Sequence, residues 1–288
     1  MQTRREFLMA AAAAGAARMI MPAGLAFAAG QAPRLRTITY NILRCRGYSV
    51  KPEAKPFLKA AEPQVPTRLA LELALYEPDI VSFQEAPPRE VVASIANQLR
   101  MKFAFFSGGW NGAVLSRHEI AGPQNCPLVS WQERPEDLFT RHWGRAVIRA
   151  PGGEIQFFSA HLHPSDASVR AREVAEMLKV MGPSLKTGER VVLQGDLNHR
   201  PNGPEYPRWV QAGLVDIFAK VKAAGTSDCS VTSVQPVGRI DYVWASAPLA
   251  NRARECRILF ERAFRTNPDD PLSVALSDHV PVMADFTS

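Results

Sequence analysis

Ser277-Asp278-His279-Val280-Pro281-Val282 sets a carboxylate and a histidine side by side at the mouth of an apolar run, Val280 to Phe286. The run reads as a strand, and a similar arrangement occurs twice upstream. Val191-Val192-Leu193 leads into Gly195-Asp196-Leu197-Asn198, and Arg239-Ile240-Asp241-Tyr242-Val243-Trp244 carries Asp241 within a strand-like segment. Asp and Asn are depleted in strands and costly to bury unpaired. One of them at a strand end is an ordinary turn residue. Several on core strands ask for a shared partner, and a divalent cation supplies one.

Outward from these strands, short apolar runs alternate with helical segments. Residues 34–43 alternate and are β-branched, a strand ending at Asn41. Residues 44–66 hold four prolines and several Lys and Arg, so they read as a surface loop with at most short helices. Thr67 caps a helix over 68–76. Ile80-Val81-Ser82-Phe83-Gln84 is a buried strand that delivers Glu85 at its C-terminal end. A helix over 89–99 and a strand over 103–106 follow, and Gly108-Gly109-Trp110-Asn111-Gly112 is a flexible turn into a strand over 113–116. Residues 123–143 carry no clear pattern. Strands over 144–149 and 154–160, joined by Pro151-Gly152-Gly153, lead into His161-Leu162-His163. An amphipathic helix opens at Ser165 or Asp166 and runs to about Met181, a short helix spans 204–213, and residues 223–237 form a polar loop. A further strand lies near Ile258 to Phe260. Many strands with intervening helices, some joined by tight hairpins, indicate a mixed sheet system.

The N-terminus stands outside that pattern. Thr3-Arg4-Arg5-Glu6-Phe7-Leu8-Met9 resembles a twin-arginine export motif, followed by an alanine-rich stretch and a small-x-small site at Ala26-Phe27-Ala28. Residues 1–28 are therefore expected to be a cleaved signal, with the mature protein periplasmic or secreted. The stretch is short, soft and interrupted by Arg18, so no stable membrane span is expected. Removing it takes away three arginines and one glutamate, so the formal charge of +6 falls to +4. A modest positive surplus suits a phosphate-bearing partner. The four cysteines, Cys45, Cys126, Cys229 and Cys256, are widely spaced with no CxxC pair, which excludes a zinc ribbon and leaves disulfides or free thiols open.

In order, the chain carries Tyr40-Asn41, Gln84-Glu85, Gly112-Ala113-Val114-Leu115-Ser116-Arg117, Ser159-Ala160-His161-Leu162, Gly195-Asp196-Leu197-Asn198, Arg239-Ile240-Asp241-Tyr242 and Ser277-Asp278-His279. Each motif is short, but the ordered set resembles the endonuclease/exonuclease/phosphatase superfamily. That superfamily includes deoxyribonuclease I, apurinic endonucleases, bacterial sphingomyelinases and inositol polyphosphate phosphatases. The resemblance spans essentially the whole mature chain. It implies an α+β (mixed α/β) domain over 29–288, a four-layer α/β/β/α sandwich of two mixed β-sheets face to face with helices outside.

Hydrolysis of a phosphate ester needs neutralised nonbridging oxygens, an activated water and help for the leaving oxygen. Oxygen ligands without a cysteine cluster favour Mg²⁺ or Mn²⁺, with Ca²⁺ also compatible. The resemblance implies that Glu85, assisted by Asn41, holds the metal, and that Asp278 lies at or near a metal position. Asp196 would orient or deprotonate the attacking water, and Asn198 would donate to the phosphate. His279 would be a general acid/base or transition-state donor with its ring fixed by Asp241. His161 would hydrogen-bond a phosphate oxygen as a cation. His163 is less securely placed. His118, His142 and His199 read as surface or loop residues, His199 the first exception because it borders Asn198.

Two departures narrow the branch. No glutamate can be placed beside His161 as in deoxyribonuclease I; Asn111 or a residue of 119–143 is the available substitute. Gln194, not tryptophan, precedes Gly195, and no cysteine–aspartate–arginine signature occurs, which disfavours the inositol phosphatases. The expectation is an exported, divalent-metal-dependent phosphoesterase, monomeric, acting on a phosphodiester. Nucleic acid, DNA or RNA, leads on net charge and on the basic segment Arg44-Cys45-Arg46 to Lys59. A phospholipid head group such as sphingomyelin, a small phosphate ester, and a non-catalytic phosphate-binding protein are the alternatives.

Overall fold

The computed structural model describes residues 34–221, 230, 238–267 and 269–287. The expected export segment 1–28, most of the 223–237 loop and Cys229 lie outside the described residues. In chain order the strands are β1 (Arg34–Asn41), β2 (Ile80–Gln84), β3 (Lys102–Phe106), β4 (Gly112–Ser116), β5 (Glu119–Asn125), β6 (His142–Ala150), β7 (Gly153–His161), β8 (Val191–Asp196), β9 (Leu214–Asp216), β10 (Asp241–Ser246), β11 (Ala253–Ile258) and β12 (Val282–Thr287). The helices are α1 (Lys55–Ala61), α2 (Val65–Ala74), α3 (Arg89–Leu99), α4 (Ala167–Lys186), α5 (Tyr206–Gln211), α6 (Ile217–Val221) and α7 (Ala247–Ala250).

Two six-stranded sheets result, ordered β11-β12-β1-β2-β4-β3 and β5-β6-β7-β8-β10-β9. Each is mixed, with one parallel pair, β1 with β2 and β7 with β8, among antiparallel neighbours. Period-two alternation then decides which layer each side chain enters. On β1, Ile38 and Tyr40 face outward into a cluster with Leu69 and Leu73 of α2 and Val92 and Ile95 of α3. On β8, Val191 and Leu193 face outward against Val174, Met177 and Met181 of α4. Between the sheets, Leu35, Ile80, Phe106 and Val114 meet Ile148, Phe157, Val192 and Val243. Three apolar clusters separated by two sheets make the four-layer sandwich.

The inner layer changes character along the strands, and that change positions the site. At one end it is apolar, with Leu35, Ile80 and Val192. Next comes a buried polar band that ties the sheets together. Thr37 donates to Gln194 Oε1 at 2.6 Å, and Gln194 Nε2 donates to the Ile38 carbonyl and to Ser82 Oγ, each at 2.9 Å. Ser82, Thr39 and Gln84 complete the network. A buried amide left unpaired costs about 1–3 kcal/mol, so these bonds hold the two sheets in one relative setting. The next inward positions are Asn41 and Asp196, at the C-terminal ends of β1 and β8.

Gly195 permits this register. Its φ is +152°, and an added Cβ would fall 1.9 Å from the Ala160 carbonyl oxygen of β7. Gly195→Ala is expected to destabilise the protein by about 3 kcal/mol or more, through strain and overpacking together. Urea unfolding measures it; a change under about 0.5 kcal/mol would place it among ordinary surface substitutions and remove this explanation.

Several boundaries differ from the sequence reading, for local reasons. Residues 44–66 are more helical than a loop: α1 occupies 55–61 with no buried residue, and short 3₁₀ turns flank it. Thr67 is not a cap, because α2 begins at Val65 with Pro66 in its first turn. The patternless 123–143 region hides the end of β5, an edge strand whose side chains are mostly exposed, and the start of β6 at His142. Asp166 does cap α4, accepting from the Ser168 and Val169 amides, and the helix continues past Met181 to Lys186. Cys45, Cys126 and Cys256 are free thiols.

Candidate active site

Strand register alone lines up the acidic and basic groups. His142 of β6 pairs with His161 of β7, His161 with Asp196 of β8, and Asp196 with Asp241 of β10. Four titratable residues therefore sit in one row across four adjacent strands, spaced by the ~4.8 Å between neighbours. In the facing sheet, Asn41 pairs with Gln84, and the next residue, Glu85, turns toward that row. The loop before β12 brings His279. Glu85 and Asn198 both adopt φ near +50°, at 51° and 52°. That left-handed conformation is uncommon for non-glycine residues and costs about 1–3 kcal/mol.

The contacts join these groups into one cluster. Asn41 Nδ2 donates to Glu85 Oε1 at 3.2 Å and to Asp196 Oδ2 at 3.1 Å. Asp196 Oδ2 also lies 3.4 Å from His161 Nε2 and 3.7 Å from His279 Nε2. His279 Nδ1 is 2.9 Å from Asp241 Oδ2. Asp196 Oδ1 accepts the Asn198 backbone amide at 3.1 Å, and the Asn198 side chain donates one hydrogen to the Leu162 carbonyl at 2.9 Å. The second amide hydrogen of Asn198 is left for a ligand. Asp278 is half-buried and accepts from Ser277 Oγ at 3.1 Å; its charge acts on both Glu85 and His279.

Electrostatics separate the two central histidines. Burial alone would lower the His279 pKa, but the Asp241 and Asp196 carboxylates, with Asp278, outweigh it and push the ring to about 10. His279 is thus an imidazolium whose Nε2–H faces the cluster. Burial drives His161 far below the ordinary value, helped by the neighbouring His142, Arg141 and His279. His161 is therefore neutral, against the expected cation, with its Nε2 turned toward Asp196 Oδ2. Asp196 is pushed up to about 7, by burial first and the Asp241 charge second. A carboxylate poised near neutrality suits proton transfer at physiological pH.

Asp196, Asp241 and His279 offer ligand atoms within 4.8 Å of one another, yet they suit a proton relay better than a metal. Nδ1 of His279 is committed to Asp241, and a protonated ring repels a cation. The fit for a hard divalent ion is at Glu85. Its Oε2 is buried with no partner, its pKa is raised by burial despite the Asn41 hydrogen bond, and Asp278 adds a second negative charge beside it. Glu85 and Asp278 offer carboxylate oxygens that match Mg²⁺ or Mn²⁺, and Asn41, whose Nδ2 now faces Glu85 while its Oδ1 accepts the Leu43 amide, would join them with its amide turned over.

The remaining histidines resolve into structural roles. His142 is buried, not superficial: burial lowers it to about 3, and its Nε2 meets Ser159 Oγ at 3.3 Å. His199 is also buried and lowered to about 4; its Nε2 accepts from Trp209 Nε1 at 3.1 Å and its Nδ1 faces the Arg200 carbonyl. His163 Nδ1 accepts the Asp166 amide, next to the α4 cap. Among the described residues no carboxylate supports the far side of the His161 ring: its Nδ1 is buried without a partner, and neither Asn111 nor a residue of 119–143 reaches that atom. Ser230, in the expected polar loop 223–237, donates to Asp241 Oδ2 at 2.7 Å and accepts the Ile240 and Asp241 amides. Its carbonyl accepts the Val280 amide at 3.0 Å, so one serine fixes both members of the Asp241–His279 pair. Nothing local in the sequence marks it.

Residues 38–279 match the model of the Endonuclease/Exonuclease/phosphatase family. Among solved structures, an endonuclease/exonuclease/phosphatase from Beutenbergia cavernae is 20% identical at a TM-score of 0.62, covering 88% of this chain and 72% of that one. Truncated Caenorhabditis elegans TDP2 is 15% identical at 0.65, covering 88% and 98%. The Bacteroides thetaiotaomicron mannosyl-6-phosphatase is 17% identical at 0.65, covering 87% and 98%. At these identities the likeness is one of fold.

Proposed function

Because this chain belongs to the endonuclease/exonuclease/phosphatase family, whose members are phosphoester hydrolases, we propose that it is a divalent-metal-dependent phosphodiesterase acting through the Asp196–His279 cluster. One observation carries the reading: Asn41, His161 and His279, drawn from both sheets and a loop, meet around a single oxygen, Asp196 Oδ2, with Glu85 joined to it through Asn41 and Asp241 through His279. A fold maintained only for binding has no need of a raised carboxylate beside an imidazolium.

A cation held by Glu85, Asn41 and Asp278 would supply Lewis-acid neutralisation of a phosphate oxygen. The chain's own groups account for the rest. Asp196 orients the attacking water and takes its proton as the water oxygen bonds to phosphorus. His161 Nε2–H and the free Asn198 amide hydrogen donate to nonbridging oxygens, where charge builds. His279 gives its Nε2 proton to the leaving oxygen as the phosphorus–oxygen bond breaks, and Asp241 holds the ring in the orientation this transfer needs. Bond making and proton transfers balance within these groups.

Nucleic acid is the favoured substrate on the positive surplus and the basic 44–59 segment. A small phosphate ester is the second reading, supported by the name of the mannosyl-6-phosphatase of similar fold. A panel of plasmid DNA, RNA, sphingomyelin vesicles and mannose 6-phosphate, each with Mg²⁺, tests the class. Cleavage of DNA or RNA that weakens steeply with salt is expected; cleavage of vesicles or of the sugar phosphate alone would overturn the nucleic-acid reading. Export through the twin-arginine route is part of the proposal. No described helix is long and apolar enough to cross a membrane. Cell fractionation tests export, and retention of the protein in the cytoplasm would remove it.

A further inference from the structure

Beside the cluster, three residues from three separate segments are brought together at cost and left without a counter-charge. Leu43, Arg44 and Cys45 have φ of 45°, 55° and 58°, three successive left-handed non-glycine residues. Each such residue costs roughly 1–2 kcal/mol, so the turn needs a compensating reason. It is tied to the site, because the Arg44 amide donates to the Glu85 carbonyl at 2.8 Å. The Arg44 guanidinium lies 4.2 Å from the Trp110 ring centre and donates to the Gly109 carbonyl at 3.2 Å.

Trp110 gets there because the turn before it is docked on the backbone of Thr140 and Arg141, just ahead of β6. Gly109 N donates to Thr140 O at 3.1 Å, and a Cβ on Gly108 would lie 1.5 Å from the Arg141 carbonyl oxygen. The same indole is 5.3 Å from the Arg141 guanidinium. Arg141 immediately precedes His142, whose β6 position pairs with His161, and its charge is felt at Glu85 and His161. Among the described residues no carboxylate pairs with Arg44 or Arg141, and Arg141 Nε is buried without a hydrogen-bond partner. Two half-buried guanidiniums around one indole, each unpaired, repel one another. An anion bridging them removes that repulsion and fills the vacant donor, and planar guanidinium forks match phosphate geometry.

We propose that Arg44 and Arg141, held by Trp110, form an anion subsite at the mouth of the catalytic cluster that binds a second phosphate of the substrate, adjacent to the scissile one. This rests on the phosphodiesterase reading and sharpens it. The substrate is a diester with a neighbouring phosphate, as in a nucleotide chain, and not a lone diester such as a choline phospholipid. Trp110 serves as a positioning residue, since its faces carry the guanidiniums.

The test compares thymidine 5′-(p-nitrophenyl phosphate) with its 3′-phosphorylated form, which differ only in the added phosphate. Wild type is expected to show a KM about tenfold lower for the 3′-phosphorylated ester, the scale of one charge-assisted hydrogen bond. Arg141→Gln and, separately, Arg44→Gln bring that ratio close to one. Calorimetric titration with thymidine 3′,5′-bisphosphate and thymidine 5′-monophosphate reads the same preference without turnover. Equal KM and equal affinity in wild type, or a preference unchanged in both variants, would overturn the subsite. Turnover without a bisphosphate preference sinks the subsite alone. An arginine-dependent bisphosphate preference without turnover of either ester keeps the subsite and sinks the hydrolase reading.

Discussion

His279→Gln is expected to lower kcat on bis(p-nitrophenyl) phosphate by about 10³-fold, the middle of the range for losing a positioned acid or base. Glutamine has similar reach and still donates to Asp241, and Asp241 keeps its bond from Ser230 Oγ, so the fold should persist. What disappears is the proton that Nε2 delivers. Because the wild-type ring is held protonated to about pH 10, its activity should fall on the alkaline side as the ring deprotonates, and the variant should lack that limb. The stability sign follows from linkage. A histidine whose folded pKa is raised above 6.5 stabilises the fold fully below that value and loses the contribution as pH climbs toward 10. The stability gap between wild type and variant should therefore be widest near pH 6 and close at alkaline pH. Chemical denaturation across pH measures the gap, and a gap that widens as pH rises would contradict the assignment.

Glu85→Gln should have an effect of similar size through a different route. In the protein without metal, a partly buried carboxylate with one unpartnered oxygen is a burden, and its raised pKa records that cost. Replacing it by a neutral amide should leave the metal-free protein as stable as wild type or more so. With metal the order reverses. Wild type should gain about 2.7 kcal/mol when Mg²⁺ stands at roughly 100 times its Kd, and the variant should gain little. Activity should drop in parallel and recover only partly at high Mg²⁺. Thermal melts with and without Mg²⁺ read this directly. Equal metal-induced shifts in the two proteins would place the ion elsewhere.

The parts of this molecule that could be read in advance are those where burial writes itself into residue type. β2 and α3 fall on their expected residues because Ile80–Gln84 is fully buried and Arg89–Leu99 keeps a clean helical stripe. β5 could not be read, since an edge strand with mostly exposed side chains has no apolar alternation to show. The helix α1 buries none of its own residues, and its Pro56, with Pro52 and Pro63 on either side, looks like loop.

Asn41, Glu85, Asp196, Asp241 and His279 stood out because polar groups at the ends of apolar strands are conspicuous. The inner polar band was hidden for the opposite reason: Thr37 and Thr39 look like ordinary outward positions, and Ser82 and Gln84 like lone polar residues in a buried strand, until a facing sheet brings Gln194 to them. His142 gave no sign of burial, which depends on packing from distant elements. Ser230 and the Arg44–Trp110–Arg141 group are assembled only by tertiary contacts, so no spacing announces them.

The most direct test is hydrolysis of bis(p-nitrophenyl) phosphate by the protein stripped with EDTA and reloaded, beside Asp196→Asn. The stripped protein should be inactive, Mg²⁺ or Mn²⁺ should restore turnover, and Asp196→Asn should stay inactive with either ion. Turnover that survives stripping, or an Asp196→Asn protein as active as wild type, would contradict a metal-dependent phosphoesterase built around Asp196.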